Sequence, residues 1–371
     1  MTAGGRRKRW LFFAHNRLSE PALAEVLEAC SGREEVEPWF TREEAAGDPP
    51  HSLAAREISL AEASGGRWDA VLATDNQRDE HVPAGYRVRI PHGAAYGLHG
   101  YGIVSLPLSD LFVAVSEAHR AFLERHRPLA RASTEIVVGG HPRLDRLWRA
   151  RRRREEVLDG LGLDPGRPTV VITSHWTPDG NLRRLGAALP RAVLAALPEA
   201  NVLQTGHPNL WKRVKYDIGD PKAGLGTRLV RRLRRELFPF DYDALFGGLG
   251  ELAGKHERFR LLEPERTFEA LAAADVLVSD LSSVTVEFTL FDRPIVLFER
   301  PGFHPWDPAL AAAYRGASHL FHGLEGVGPA LEEGLGAPEA RRAGRAALRD
   351  LCLAHLGHSG ERIVSLVLER S

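Results

Sequence analysis

Short apolar segments rich in strand-forming residues alternate along this chain with longer segments of helical periodicity. Ten segments are predicted to be strands: 10–15, 70–74, 87–90, 111–115, 134–138, 169–173, 201–205, 259–262, 276–279 and 295–298. Most are continuous apolar runs, which is typical of strands covered on both faces of a parallel sheet. Helices are predicted between them, among others at 20–29, 117–126, 183–197 and 267–273. This alternation predicts an α/β fold of doubly wound layers.

The alternation is interrupted once, after residue 138. An arginine-rich helical stretch follows at 143–159, and the next nine residues are rich in glycine and proline. We therefore predict an N-terminal domain at 1–159, a C-terminal domain at 160–346 and a closing helix at 347–371. Two α/β domains joined in this way leave a cleft between them, which is a usual place for a ligand.

Composition excludes several classes of protein. The 371 residues include 49 Lys+Arg and 49 Asp+Glu, and this zero net charge argues against nucleic acid as a partner. Cys30 and Cys352 are too few for a disulfide framework or a cysteine-rich zinc site, so we expect a reducing, cytoplasmic location. No stretch reaches the roughly 18 apolar residues of a membrane-spanning helix, so any membrane contact would be peripheral.

Histidines follow several of the predicted strands. His15 ends the first strand, and the others that follow a strand are His92, His141, His175 and His207. Ligands of open parallel sheets bind outside the carboxyl ends of the strands, so these positions are candidate site residues. The alternative for each is a loop or capping residue. There is no His-x-x-x-His pattern and no Asp/Glu/His cluster at ligand spacing, so no metal is predicted.

His92 is the candidate for acid–base chemistry. Pro91 stiffens the turn that carries it, and Gly93 allows close approach of a ligand. Imidazole titrates near neutral pH, so this side chain can accept a proton from an attacking hydroxyl. The alternative is a plain turn after an edge strand.

A phosphate-binding pattern lies at Ser279-Asp280-Leu281-Ser282-Ser283, where a buried strand runs into a helix. Ser282 or Ser283 is predicted to be the N-cap, and the amides of the first turn with the helix dipole favour an anion. Glu287 lies one turn deeper, where a carboxylate can accept ribose hydroxyls. Asp280 would repel phosphate, so we expect it to bond to backbone or to a histidine. The alternative is simple helix capping.

Five motifs occur in an order similar to that of the CDP-glycerol glycerophosphotransferases of teichoic-acid synthesis. They are Pro91-His92-Gly93, Gly140-His141-Pro142-Arg143-Leu144-Asp145, His207-Pro208, Ser279-Asp280-Leu281-Ser282-Ser283-Val284 and Gly360-Glu361-Arg362-Ile363. The resemblance extends over residues 70–365 and is most specific at 270–300. It implies a GT-B-like fold, in which two Rossmann-like, doubly wound domains face a central cleft and the C-terminal one binds the donor nucleotide.

The resemblance also implies residue roles. His92 matches the proposed base on the acceptor hydroxyl, and His207 matches the histidine that contacts the donor pyrophosphate. Ser282 and Ser283 match serines that hold phosphate, and Glu287 matches the acidic residue suited to ribose. The remaining matched or neighbouring residues are Arg143, expected at the phosphate, and the supporting residues Gly93, Asp280, His141 and His175.

The reaction implied by this resemblance is attack of an acceptor hydroxyl on the β-phosphorus of CDP-glycerol, with CMP as leaving group and no cofactor or metal. The acceptor would be a glycan, a lipid-linked molecule or a polyol phosphate in cell-wall or surface-polymer synthesis. Three alternatives stay open. They are a GT-B glycosyltransferase that uses a nucleotide sugar, a UDP-sugar 2-epimerase, which would require several carboxylates around the sugar, and a non-catalytic binding protein.

Two arginine clusters bear on the location of the protein. One is residues 149–154, and the other consists of Arg228, Arg231, Arg232, Arg234 and Arg235 among apolar residues. The second cluster predicts a helix with an apolar stripe beside a basic face, which is typical of docking on an anionic membrane. A surface helix with a solvated arginine face is the favoured alternative. The expected location is the cytoplasm, with the inner face of the cell membrane as a peripheral site.

Overall fold

The computed structural model describes residues 6–14, 20–43, 55–74, 79–97, 101–127, 133–150, 153–212, 240–300 and 307–371. They form two compact units. The first unit comprises the described residues of Met1–Arg151, His304–Ala313 and Ala347–Ser371, and the second those of Arg152–Phe303 and Tyr314–Ala346. The C-terminal segment predicted separately at 347–371 belongs to the first unit, and residues 153–159, predicted in the N-terminal domain, belong to the second unit.

A parallel sheet forms the centre of the first unit. Its described strands are β1 Lys8–Ala14, β2 Val36–Arg42, β3 Arg56–Glu57, β4 Ala70–Thr74, β5 Arg87–Ile90, β6 Leu111–Ala114 and β7 Glu135–Val138. They lie in the order β3-β2-β1-β4-β5-β6-β7. The last five residues of β1 are fully buried, as expected for an apolar strand covered on both faces.

A second parallel sheet forms the centre of the second unit. Its described strands are β8 Thr169–Ile172, β9 Asn201–Gln204, β10 Phe259–Leu261, β11 Val276–Ser279, β12 Ile295–Phe298 and β13 His319–Phe321. Their order is β10-β9-β8-β11-β12-β13. This is the order of a Rossmann-like sheet, which reverses its direction of growth between β8 and β11. A crevice at the carboxyl ends of these two strands is where such sheets bind ligands.

Helices connect most successive strands of both sheets. Those described are α1 Glu20–Cys30, α2 Leu60–Gly65, α3 Tyr101–Ser105, α4 Glu117–Arg125, α5 Arg143–Ala150, α6 Arg154–Gly160, α7 Asn181–Leu185, α8 Ala188–Ala196, α9 Pro208–Trp211, α10 Tyr242–Lys255, α11 Thr267–Ala273, α12 Ser283–Phe288, α13 Pro308–Ala317, α14 Leu324–Gly336, α15 Arg342–Cys352 and α16 Ser359–Leu368. In the first unit, α1 and α16 share one buried cluster with the sheet, to which Leu23 and Ile363 belong. In the second unit, Val193 of α8 and Leu331 of α14 lie in the corresponding cluster.

The ten predicted strands are all present, each within two residues of its predicted ends; His15 lies outside the described residues. Three strands were missed. β2 carries Glu37 and Pro38, which interrupt its apolar run, and β3 and β13 have only two and three residues. Such short or mixed segments give no periodic signal.

Three predicted helices are each two helices in the structure. The stretch 183–197 is divided at Gly186, whose φ of 58° belongs to the left-handed region. The closing helix predicted at 347–371 is divided between α15 and α16, and His355 and Gly357 between them have φ of 53° and 83°. A residue in this region ends a right-handed helix. The stretch 143–159 consists of α5 and α6.

Candidate functional site

The carboxyl ends of β8, β9 and β11 lie side by side in the second unit. β8 pairs with both other strands, through Val171↔Leu203 and Val171↔Leu277. The segment after β8 carries His175, the segment after β9 carries His207, and the segment after β11 leads to Ser282. The fold therefore brings together side chains that are far apart in sequence.

Asp280 is the centre of this arrangement. Its carboxylate is 3% exposed and accepts hydrogen bonds from the backbone N–H of His175 at 2.9 Å and of Asn181 at 3.0 Å, and from the Ser174 hydroxyl at 3.3 Å. The expectation that Asp280 bonds to backbone is confirmed. These bonds fix the segment 174–181 to the end of β11, so Asp280 holds the backbone of His175 in place.

The charge of Asp280 is held at an energetic cost. Burial raises the pKa of this carboxyl to about 6, although the backbone N–H groups of Asn181 and His175 and the hydroxyls of Ser174 and Ser282 act in the opposite direction. Desolvation therefore outweighs the hydrogen bonds. The carboxylate is ionised at neutral pH but titrates in the mildly acidic range.

Further polar contacts join the ends of β8 and β11. The hydroxyls of Thr173 and Ser279 lie 2.9 Å apart, and the Asn181 side-chain amide donates to the Thr173 carbonyl at 2.8 Å. Gly180 has no room for a side chain, because a Cβ there would lie 2.1 Å from the carbonyl oxygen of His175. The segment after β8 is therefore held by the backbone and the side chains together.

The two imidazoles of this edge are neighbours. The ring centroids of His175 and His207 are 5.4 Å apart, and the Trp176 ring lies 5.9 Å from that of His207. The backbone N–H of His207 donates to the Ser174 carbonyl at 2.9 Å, which joins the segments after β8 and β9. The structure thus brings together His175 and His207.

Ser282 holds the N-cap position of α12, with φ −142° and ψ 164°, but its side chain makes no capping hydrogen bond. Its hydroxyl is 3.4 Å from that of Ser279, and its carbonyl accepts from the Tyr314 hydroxyl at 2.7 Å. Ser283 begins the helix and is partly exposed. The Ser282 side chain therefore does not cap the helix. Ser283 is the more accessible of the two serines.

Glu287 lies on α12 and is fully buried. The neighbouring Thr285 hydroxyl donates to the Asp280 carbonyl at 2.8 Å and fixes the first turn of the helix to the strand. Contact of Glu287 with a ribose stays a prediction.

The candidate residues of the first unit follow β5 and β7. His92 and Gly93 lie directly after β5 and are partly buried; His141 follows β7 and is buried, and Arg143 begins α5. Since the strands are parallel, these residues lie at one edge of the first sheet. They belong to a different unit from Ser282, Ser283 and Glu287, so the prediction that His92 faces a donor stays a prediction.

Two of the resemblance motifs contact each other in the first unit. The Asp145 carboxylate accepts from the backbone N–H of Gly357 at 3.0 Å and of Gly360 at 2.9 Å. Gly140 has φ of 84°, and a Cβ there would lie 2.5 Å from the Ser359 hydroxyl oxygen. This part of the 140–145 motif therefore holds the C-terminal helix in place.

Several residues of the site were missed by sequence reasoning. Ser174 and Asn181 bond to Asp280, Thr177 contacts the His175 ring, and Arg300 after β12 forms an ion pair with Asp179. The strand-end rule that found the histidines also applies to Arg300. No local pattern marks the other contacts.

Among the described residues, no group of three or more His, Cys, Asp or Glu is arranged to hold a metal ion. No helix in that part of the chain is long and apolar enough to cross a bilayer.

Three described arginines of the 149–154 cluster form ion pairs, Arg149 with Glu25, Arg153 with Glu156, and Arg154 with Asp275. The second arginine cluster, residues 228–235, lies outside the described residues.

Solved structures of similar fold place this chain among the GT-B-like proteins. A variant of the wall teichoic acid polymerase TagF with CDPG aligns with a TM-score of 0.65 and 13% identity, over 98% of this chain and 88% of that one. The MnaA–UDP complex of S. aureus gives 0.59 and 15%, over 96% and 95%. The UDP-GlcNAc 2-epimerase of Neisseria meningitidis bound to UDP-GlcNAc gives 0.60 and 12%, over 98% and 100%. The chain has a GT-B-like fold, as predicted.

The family resemblance is also confirmed. Residues 249–301 match the model of the family described as CDP-Glycerol:Poly(glycerophosphate) glycerophosphotransferase. The matched segment runs from the second half of α10 through β10, α11, β11, the serine turn and α12 to the residues after β12. It therefore contains Asp280, Ser282, Ser283 and Glu287. A search of curated protein sequences gives no match.

Proposed function

We propose that this protein is a transferase that moves glycerol phosphate, or a similar polyol phosphate, from a CDP-activated donor to a hydroxyl of an acceptor. The observation that carries the proposal is the family-matched segment itself. It folds as a buried strand, a serine turn and a helix, at the point where the Rossmann-like sheet reverses, and Asp280 fixes it to the segment of His175.

The donor diphosphate would bind at the end of β11. The Ser282 side chain does not bond to the first-turn amides of α12, and the Thr285 amide donates to the Ser282 carbonyl at 3.2 Å, so an anion would bind at the amides of Ser283 and Val284. The Ser283 hydroxyl and the His207 imidazole would donate further hydrogen bonds. Fixed donors of this kind stabilise the charge that grows on the leaving CMP.

In the proposed reaction, an acceptor hydroxyl oxygen forms a bond to the β-phosphorus of the donor, and the bond between this phosphorus and the bridging oxygen breaks. CMP leaves with the bridging oxygen, and His92 takes the proton of the hydroxyl. Arg143 would contribute positive charge to the phosphates, and Glu287 would bind the ribose. The acceptor would be a glycan, a lipid-linked molecule or a polyol phosphate in surface-polymer synthesis, in the cytoplasm or at the inner membrane face.

A UDP-sugar 2-epimerase is the second candidate, because epimerases are among the proteins of similar fold. That reaction requires carboxylates around the sugar ring. At the carboxyl ends of β8 and β11, the Asp280 carboxylate is occupied by hydrogen bonds from two backbone N–H groups and a hydroxyl. This observation favours the transferase. A glycosyltransferase that uses a nucleotide sugar would need the same phosphate contacts.

The test is product analysis. The protein is mixed with CDP-glycerol and a glycerol-phosphate-primed acceptor, and CMP release and acceptor extension are followed by chromatography. A parallel reaction with UDP-GlcNAc is examined for epimerisation and for release of UDP. Thermal unfolding with CDP, CDP-glycerol, UDP and UDP-sugars shows which ligand stabilises the fold. Stabilisation by UDP-sugars alone, with no CMP release, would overturn the proposal.

A further inference from the structure

Two neighbouring strands of the second unit end in turns of the same construction. After β8, the Nδ1 atom of His175 accepts from the backbone N–H of Thr177 at 3.3 Å and lies 2.9 Å from its hydroxyl. After β9, the Nδ1 atom of His207 accepts from the backbone N–H of Asn209 at 3.1 Å. In each turn, an imidazole accepts from the amide two residues further along the chain.

This contact determines where the proton of each neutral ring lies. An Nδ1 atom that accepts from an N–H group carries no proton, so the ring proton is on Nε2. His175 and His207 therefore each carry the ring proton on Nε2. The ring centroids are 5.4 Å apart, so one anion with several oxygens can lie beside both rings.

The position of His175 is more firmly fixed than a surface turn requires. Its backbone N–H is bound by the buried Asp280 carboxylate, and its carbonyl oxygen lies against Gly180, where no side chain fits. Its neighbour Ser174 accepts the backbone N–H of His207 at 2.9 Å, so the two turns are held in one register. Fixed donors are what a site for a charged ligand needs, because they lose little freedom on binding.

We propose that His175 is a second phosphate-binding imidazole, which donates from Nε2 to the donor diphosphate beside His207. The inference rests on the proposed function, since it names a further residue of the same donor site. In this arrangement, two neutral imidazole donors that follow neighbouring strands bind one diphosphate.

Two substitutions separate this role from a role in the turn. In His175→Asn, the side-chain oxygen can still accept from the Thr177 N–H, as in an Asx turn, but the Nε2 donor is lost. In His175→Gln, the amide group reaches the former Nε2 position, whereas the turn acceptor is lost. The matched control is His256→Asn, an exposed histidine that ends α10 before β10 begins, at the opposite edge of the sheet.

The probes are CDP and inorganic pyrophosphate, with dissociation constants measured by calorimetry on the full chain. We expect His175→Asn to weaken binding of both by roughly 10- to 100-fold, as for loss of a hydrogen bond to a charged group. His175→Gln is expected to stay within a few-fold of wild type, and His256→Asn to be unchanged. An equal loss for the two probes supports a contact to phosphate.

The outcomes distinguish the inference from the proposed function. If wild-type protein binds CDP and His175→Asn binds it equally well, the inference is wrong and the proposed function is unaffected. Loss of binding in His175→Gln with binding retained in His175→Asn would assign the residue to the turn and also overturn the inference. Failure of the wild-type protein to bind CDP would overturn both. Thermal unfolding of each variant shows that the fold is retained.

Discussion

Replacement of Asp280 by asparagine removes a buried charge and keeps the shape of the side chain. Burial raises the pKa of this carboxyl from its ordinary 3.8 to about 6. The folded state thus binds the proton more tightly than the unfolded state. The stabilisation from this group is fully present below about pH 4 and is lost as the pH rises through about 6. The difference between the two pKa values corresponds to about 3 kcal/mol.

The assay is urea-induced unfolding of the wild-type protein and of Asp280→Asn at several pH values from 4 to 7. Wild type should lose about 2 kcal/mol of unfolding free energy relative to the variant between pH 4 and 7, since part of the total is already lost at pH 4. Hydrogen bonds lost from Asn181 or His175 in the variant add an offset that does not depend on pH. Other groups titrate alike in both proteins and cancel in the difference.

The matched control is Asp292→Asn. Partial burial acts to raise the pKa of Asp292, but hydrogen bonds and charge from Arg342 and Arg345 hold it below its usual value. Its stabilisation is therefore lost only as the pH falls below about 4, and this control should differ from wild type by a constant amount from pH 4 to 7. Asparagine also tolerates the φ of 50° at this position. A constant difference for Asp280→Asn as well would refute the reasoning.

Three further predictions concern packing, catalysis and reactivity. Gly180→Ala should lower the unfolding free energy measured in urea by about 1–3 kcal/mol, because the new Cβ would meet a carbonyl oxygen at 2.1 Å. The control Gly250→Ala lies at an open helical position and should raise the unfolding free energy by about 0.5–1 kcal/mol. Equal effects of the two substitutions would contradict this prediction. His92→Ala should lower the rate of CMP release at saturating donor by roughly 10²–10⁴, and full turnover would refute its role as base. Burial raises the pKa of Cys30 to about 12 and also raises the pKa of Cys352. Both thiols should therefore react with Ellman's reagent only after denaturation. Rapid reaction of the native protein would contradict their buried positions.

The strands were predictable because each central strand is covered on both faces. Val276–Ser279 is fully buried, and only a run of apolar and small residues satisfies that condition. Prediction failed where burial does not dictate the sequence, as in β2 with Glu37 and Pro38. It also failed at helix ends such as Gly186, because a single left-handed residue ends a helix without disturbing the apolar period on either side.

The site was predictable only as far as it is local. His175, His207 and Asp280 each follow a predicted strand, so the strand-end rule finds them. The contacts between these residues and their partners were not predictable, since Asp280 and Asn181 are 99 residues apart in sequence. A single sequence contains no signal for the pairing of two such residues. The Asp145 contact with Gly360, over 215 residues, is equally unpredictable from a single sequence, although both residues lie in motifs of the family resemblance.

The fold alone does not distinguish transfer from epimerisation, since proteins of both kinds have it. A Rossmann-like sheet supplies a crevice between β8 and β11, and any nucleotide diphosphate can use it. What differs between the reactions is the chemistry beyond the diphosphate. Epimerisation moves a proton on carbon and needs side chains at the sugar ring, whereas phosphoryl transfer needs positioning and fixed donors around phosphorus. The second unit offers the latter, because the ends of β8, β9 and β11 carry hydroxyls, amides and two imidazoles, and the buried Asp280 carboxylate fixes the backbone of His175. This composition is the reason for preferring the transferase.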